Sequence, residues 1–144
     1  GPPGAPGINI LGQVFEVNVD LNANNDFRQL ITIPTDIEVF ESDAILVYWL
    51  EEVAPGNLDV WSPLPQTIYV NDGSFQYTYN HTFVDVLLFL QGDIDLNTLG
   101  PEFTNDQIFR IAIVPAEFAS EGVSMEYLME QGIIDTDSII TLGN

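Results

Sequence analysis

Catalysis needs acids, bases, nucleophiles or metal ligands held in register, and this chain offers few of them. Cysteine is absent, which removes disulfides, thiolate metal sites and cysteine nucleophiles. The single histidine, His81, lies in YNHTF, where two strands are expected to meet. No GxSxG or other nucleophile context accompanies it, so a hydrolase triad has no serine to activate. We read His81 as a strand-end residue bonded to backbone, and the overlapping Asn80-His81-Thr82 as a bare match to a glycosylation sequon. Carboxylates are plentiful, 22 in all. A glycosidase pair would have to lie about 5–9 Å apart in a cleft, a condition that no spacing in the chain expresses. No catalytic residue, cofactor-binding residue or metal ligand is assigned on these grounds, and a non-enzymatic protein is expected.

Two oxygen-rich runs invite calcium. Asp20, Asn22, Asn24 and Asp26 stand at positions 1, 3, 5 and 7 of a loop, as an EF-hand begins. Position 6 is then Asn25 where glycine is needed, and position 12 is Ile31 where glutamate is needed. Asp93, Asp95 and Asn97 form a shorter run. Calcium takes about 6–8 oxygen ligands, and Asn and Asp are also the residues a turn selects for itself. The turn reading is preferred, and folding without the ion is expected. Asp85 and Arg110 raise a different question, because each sits inside an otherwise apolar run. An isolated charge there is expensive, so the pair is expected to meet, directly or through one partner, on adjacent strands.

The elements that must carry these residues are short strands. QVFEVNVDL alternates strictly, with Phe15, Val17, Val19 and Leu21 on one face. FRQLITI is a second strand stopped by Pro34; AILVYWL is apolar on both faces and reads as a central, covered strand. Ala54-Pro55-Gly56-Asn57 has type II turn order and closes a hairpin onto LDVW. Pro63 and Pro65 place the next crossing at a sheet edge. QTIYV and SFQYTYN flank Asp72-Gly73, a hairpin turn signal. TFVDVLLFL is a further central strand, GDIDLNTLGPEF a loop, and QIFRIAIV a strand ended by Pro115. Helix is expected only after it, in AEFAS and MEYLMEQ, with a short last strand in SIITL. The fold class is mainly β: an antiparallel sandwich, jelly-roll-like, with one or two short C-terminal helices. Trp49 belongs to its core, and Trp61, beside the proline edge, is the better candidate for an exposed aromatic.

Charge narrows the partners. Arg28 and Arg110 are the only fixed cations and the formal net charge is −20. Nucleic acid and acidic membrane surfaces are disfavoured, since both need a basic patch. No stretch reaches the ~18 apolar residues of a membrane span.

The first seven residues, GPPGAPG, follow another rule, with glycine at 1, 4 and 7 and proline at 2, 3 and 6. Only glycine fits the axis of a collagen triple helix, and proline pre-sets its extended chain. Residues 1–7 are therefore read as the end of a Gly-X-Y tract, and residues 8–144 as one globular head. With INILGQVFEVNVDLN, WSPLPQT, NHTF and QIFRIAIVPAEFA, the layout resembles the globular C-terminal domain of bacterial collagen-like surface proteins and lipoproteins. The resemblance implies an exported protein, with signal and anchor upstream, displayed at the cell surface. It brings no activity and no catalytic residues. A head joined so closely to a three-chain stalk is expected to form a homotrimer with an apolar and aromatic interface, working in assembly or adhesion. The alternative is a calcium-assisted carbohydrate-binding module on such a stalk, with a cell-surface glycan as ligand.

Overall fold

The computed structural model describes residues 12–137 and 139–142, so the Gly-X-Y residues 1–7 lie outside it. The first alternating run becomes β1 (Gln13–Val19), which buries Phe15, Val17 and Val19 on one face. There follow β2 (Arg28–Thr32), β3 (Asp43–Ala54), β4 (Leu58–Pro63), β5 (Gln66–Val70), β6 (Gly73–His81), β7 (Asp85–Gly92), α1 (Pro101–Thr104), β8 (Gln107–Pro115), α2 (Met125–Glu130) and β9 (Ile140–Leu142). One sheet has the order β4-β3-β8-β1-β9 and the other β2-β7-β6-β5. Together they form a β-sandwich. Pairs close in sequence are hairpins (β3–β4, β5–β6, β6–β7), whereas β1 with β8 and β2 with β7 join distant segments.

The expected strands are present, with three differences in detail. The sheets are not wholly antiparallel, because β9 lies parallel to β1 at an edge. Helix also appears before β8: α1 and a 3-10 turn at Leu96–Thr98 occupy the segment read as loop. Pro101 starts α1 at a position where its missing N–H costs nothing. In the β5–β6 hairpin Val70 pairs with Gly73, so the loop is Asn71 and Asp72 rather than Asp72-Gly73. Gly73 takes φ +148 beside the Asp93 carboxylate, which accepts the Ser74 N–H at 2.8 Å. The other proline and glycine signals hold. Gly56 has φ +88 after Pro55, and Pro63 and Pro65 bracket the crossing from edge strand β4 to edge strand β5.

Two cores explain the covered strands. Phe15, Val47, Phe75, Tyr77, Leu88, Phe109 and their neighbours fill the space between the sheets. On the other face of the five-stranded sheet, Tyr48, Ala112 and Val114 lie under Met125, Leu128, Ile133 and Ile134. The C-terminal segment is thus a strap that gives β3 and β8 a second buried face. It is fastened by the Tyr48 hydroxyl donating to the Val123 carbonyl at 2.7 Å, and Ser124 caps α2 through the Tyr127 N–H. No equivalent strap covers β7 among the described residues. It is central in its sheet, but Leu87 and Phe89 on its outer face are half-buried.

The two poles of the sandwich differ. Gly12, Phe40, Asp43, His81, Phe83 and Pro115 belong to the pole where β1 starts. Gly12 is buried there, its N–H donating to the Ile133 carbonyl at 2.6 Å. A Cβ on Gly12 would come within 2.7 Å of Val114 Cγ1 and 2.9 Å of the Ile113 carbonyl, which is why the chain enters the sandwich through a glycine. Phe40 and Phe83, 56% and 52% exposed, are at the same pole. The opposite pole gathers the loops around Asp20–Asp26 and Asp93–Asp106.

Candidate functional site

The two oxygen-rich runs, far apart in sequence, border one cleft of about 290 Å³ at that opposite pole. Asn22 and Asn24 line one side; Asn97, Thr104 and Asn105 line the other. Several side chains of the two runs turn an oxygen to a backbone N–H. Asn22 Oδ1 accepts the Asn24 N–H at 3.0 Å, and Asn25 Oδ1 accepts the Asn22 N–H at 3.1 Å, a capping box on the Ala23–Asn25 turn. Asp20 Oδ1 accepts the Asp106 N–H at 2.9 Å, and Asp95 Oδ1 accepts the Asn97 N–H at 3.0 Å. Asp26 closes the turn in the left-handed region with φ 58, a conformation Asp tolerates. Asn22 Nδ2 donates to Asn105 Oδ1 at 2.8 Å and so ties the two loops together. Asp93 points elsewhere, toward Ser74. Among the described residues no three His, Cys, Asp or Glu side chains gather as a metal site. What the arrangement offers chemically is a mixed cleft, in which the amides of Asn22, Asn24, Asn97 and Asn105 alternate with Phe27, Leu96, Leu99 and Pro101, able to exchange hydrogen bonds with a neutral polar ligand and to cover an apolar part of it.

Asp85 and Arg110 do not meet. Asp85 is on β7 and Arg110 on β8, in different sheets. The expectation failed because alternation identifies a charge within an apolar strand but not the sheet that the strand joins. Asp85 accepts a hydrogen bond from the Thr82 hydroxyl at the turn into β7. Arg110 pairs with Glu16 instead, Nε to Oε1 at 3.2 Å, across the β1–β8 ladder where the two residues are directly opposite. Its guanidinium also lies 4.3 Å from the centre of the Trp61 ring. Trp61 is therefore half-buried and covered by a cation, not the free aromatic platform expected of it. Trp49 is core, as expected, and its indole N–H donates to Gln107 Oε1 at 2.9 Å.

The Glu16–Arg110 pair sits between surface and interior, with side chains 21% and 15% exposed. Arg110→Met should accordingly cost about 1–2 kcal/mol, above a surface pair and below the ~3–5 of a fully buried one. In urea titrations the Glu16→Gln and Arg110→Met changes should be non-additive, while Asp85→Asn with Arg110→Met should add. The reverse pattern would mean that the pairing is wrong.

His81 closes β6 at the exposed end, and Nδ1 lies 3.2 Å from the Thr82 carbonyl, to which it donates as the Nδ1–H tautomer. Burial raises the hydroxyl pKa of three tyrosines above the ordinary range. Tyr48 and Tyr77 are shifted most, with repulsion adding to burial: from Tyr79 once it ionises and from the Glu126 carboxylate for Tyr48, and from the Glu102 carboxylate for Tyr77. Tyr79 is raised by burial. Each hydroxyl donates to a carbonyl, so these groups fasten the fold.

One residue escaped sequence reasoning altogether. Tyr69 on edge strand β5 is 83% exposed, opposite Ser74 and on the outer face of the four-stranded sheet. The available signal was phase: Ile68 pairs with buried Phe75, so Thr67 and Tyr69 must face away. Comparison of the chain with protein-family models, curated proteins and solved structures gives no match.

Proposed function

We propose that residues 8–144 form the non-enzymatic head of a collagen-like surface protein, displayed outside the cell and working in trimeric assembly and adhesion. The observation that supports this reading most is the way the chain enters the sandwich. Gly12 is locked into the fold and β1 begins at Gln13, so only Ile8–Leu11 separate the Gly-X-Y residues from Gly12. The five steps from Gly7 to Gly12 span about 18 Å at most. Three chains joined in a triple helix would therefore hold their heads side by side. The chain should sediment as a trimer at micromolar concentration. A monomer that persists in high salt, where repulsion between acidic heads is screened, would refute assembly by the head.

A second reading is a calcium-assisted carbohydrate-binding module. It is favoured by the two oxygen-rich loops flanking one cleft of mixed polarity at the pole farthest from Gly12, where a stalk would present a ligand site. A glycan array probed with and without chelator tests it: chelator-sensitive binding lost in Asn22→Ala and Asn97→Ala supports this reading, and no binding on either array refutes it.

A further inference from the structure

We infer that the outer face of the four-stranded sheet is where one copy of this chain packs against another. The inference rests on the trimeric-head reading and gives it a surface. Strand register defines the face. Arg28, Phe89 and Thr78 lie side by side across β2, β7 and β6, and Leu30, Leu87 and Asn80 form the next row. Gln91, Gln76 and Thr67 continue it toward the opposite edge, with Gln91 Nε2 donating to Gln76 Oε1 at 2.9 Å. Leu30 is 53% exposed, and the half-buried Leu87 and Phe89 sit beside it without the cover that the strap provides on the other sheet.

Charge selects the occupant. The chain carries 22 carboxylates and two cations. Among the described residues, Arg28 and Asp85 stand on this face and Asp93 borders it beside Ser74, so its formal charge is −1 (one cation against two carboxylates) while that of the whole chain is −20. Contacts between the other surfaces bring carboxylates together with only Arg110, already paired with Glu16, to offset them. A basic partner would seek the acidic surfaces and gain nothing here. An equally acidic one, such as a second copy, can come close only where the acids are few. The face also reaches the correct pole: the β7 row of Asp85, Leu87 and Phe89 leads back to the exposed Phe83 at the end where Gly12 enters the fold. Copies tethered there have this surface within reach. Around a three-fold axis the contact is heterologous, so this face of one head meets a different surface of the next.

Sedimentation of the full chain tests the inference, with Leu30→Glu and Thr78→Glu as variants. Both residues point away from the core, so thermal melts should confirm that the fold survives; Leu58→Glu, at the exposed tip of the β3–β4 hairpin, is the control. The expected result is a wild-type trimer, unchanged by Leu58→Glu and weakened at least about tenfold by either face variant. A trimer untouched by Leu30→Glu and Thr78→Glu overturns the inference and leaves the trimeric head standing. A dimer that both variants dissociate upholds the surface and overturns the trimer. A wild-type monomer in high salt overturns both.

Discussion

Tyr77→Ala should lower the stability of the domain by about 3–5 kcal/mol, the range seen when a large buried side chain is truncated. Tyr77 is fully buried and stacks on Trp49 with ring centres 4.2 Å apart. Phe75 and Phe109 meet it edge-on at 5.5 and 6.2 Å. The ring therefore bridges the sheets, since Phe75 is on β6 while Trp49 and Phe109 are on β3 and β8. Its hydroxyl donates to the Phe103 carbonyl at 2.6 Å, and Trp49 holds Gln107, whose amide donates to the Glu102 and Asn105 carbonyls at 2.9 Å. Loss of the ring opens a cavity and loosens the α1 segment together. Tyr77→Phe keeps the packing and removes only the hydrogen bond, so it should cost about 1–2 kcal/mol. Urea midpoints should fall in that order with the slope unchanged. A Tyr77→Ala protein within 1 kcal/mol of wild type would show that this stack does not hold the sheets together; that margin is about the net worth of one hydrogen bond.

Alkaline pH should unfold the protein through the same residues. The folded-state pKa values of Tyr48 and Tyr77 are raised by burial, whereas an unfolded tyrosine titrates near about 10. A raised value means that the native state holds its proton more tightly than the unfolded one. The corresponding stability is fully present below about pH 10 and is lost as pH rises from there toward the folded values. Each such tyrosine steepens the loss by about 1.4 kcal/mol per pH unit, so the pair contributes about 3. Tyr79 adds to it in the same direction. Urea midpoints measured on both sides of that point should show a plateau followed by a steep fall. Tyr48→Phe and Tyr77→Phe should each start lower at neutral pH and make the fall shallower. An unchanged alkaline slope in both variants would remove the tyrosines as its cause.

Much of the framework was legible in the chain. Phe15, Val17, Val19 and Leu21 were read as one face and all are buried. Pro55-Gly56 and the Pro63–Pro65 crossing lie where their backbone limits require. Such features are local, because a strand's period and a proline's fixed φ depend on nothing distant. The helical turns before β8 were missed for a related reason: pieces of three and four residues are too short to show a helical period. The candidate site was legible only in parts. Both oxygen-rich runs were noticed as separate turns, but Asn22 and Asn105 meet only because the loops that follow β1 and precede β8 share one pole.

What the sequence determined by itself is the inventory: eight or so short strand segments, several with alternating faces, acids nearly everywhere, no thiol, and one histidine at a strand end. Neighbours were decided by the tertiary structure. An alternating strand can pair in either sheet with equal local satisfaction, and only the closure of both cores selects one arrangement. That selection gave Arg110 to Glu16 and Trp61 in place of Asp85, and hid Trp61 while baring Tyr69. It also laid the C-terminal strap on one sheet and left the other, among the described residues, with an uncovered face that carries few charges, because a single short strap can bury only one of two outward surfaces.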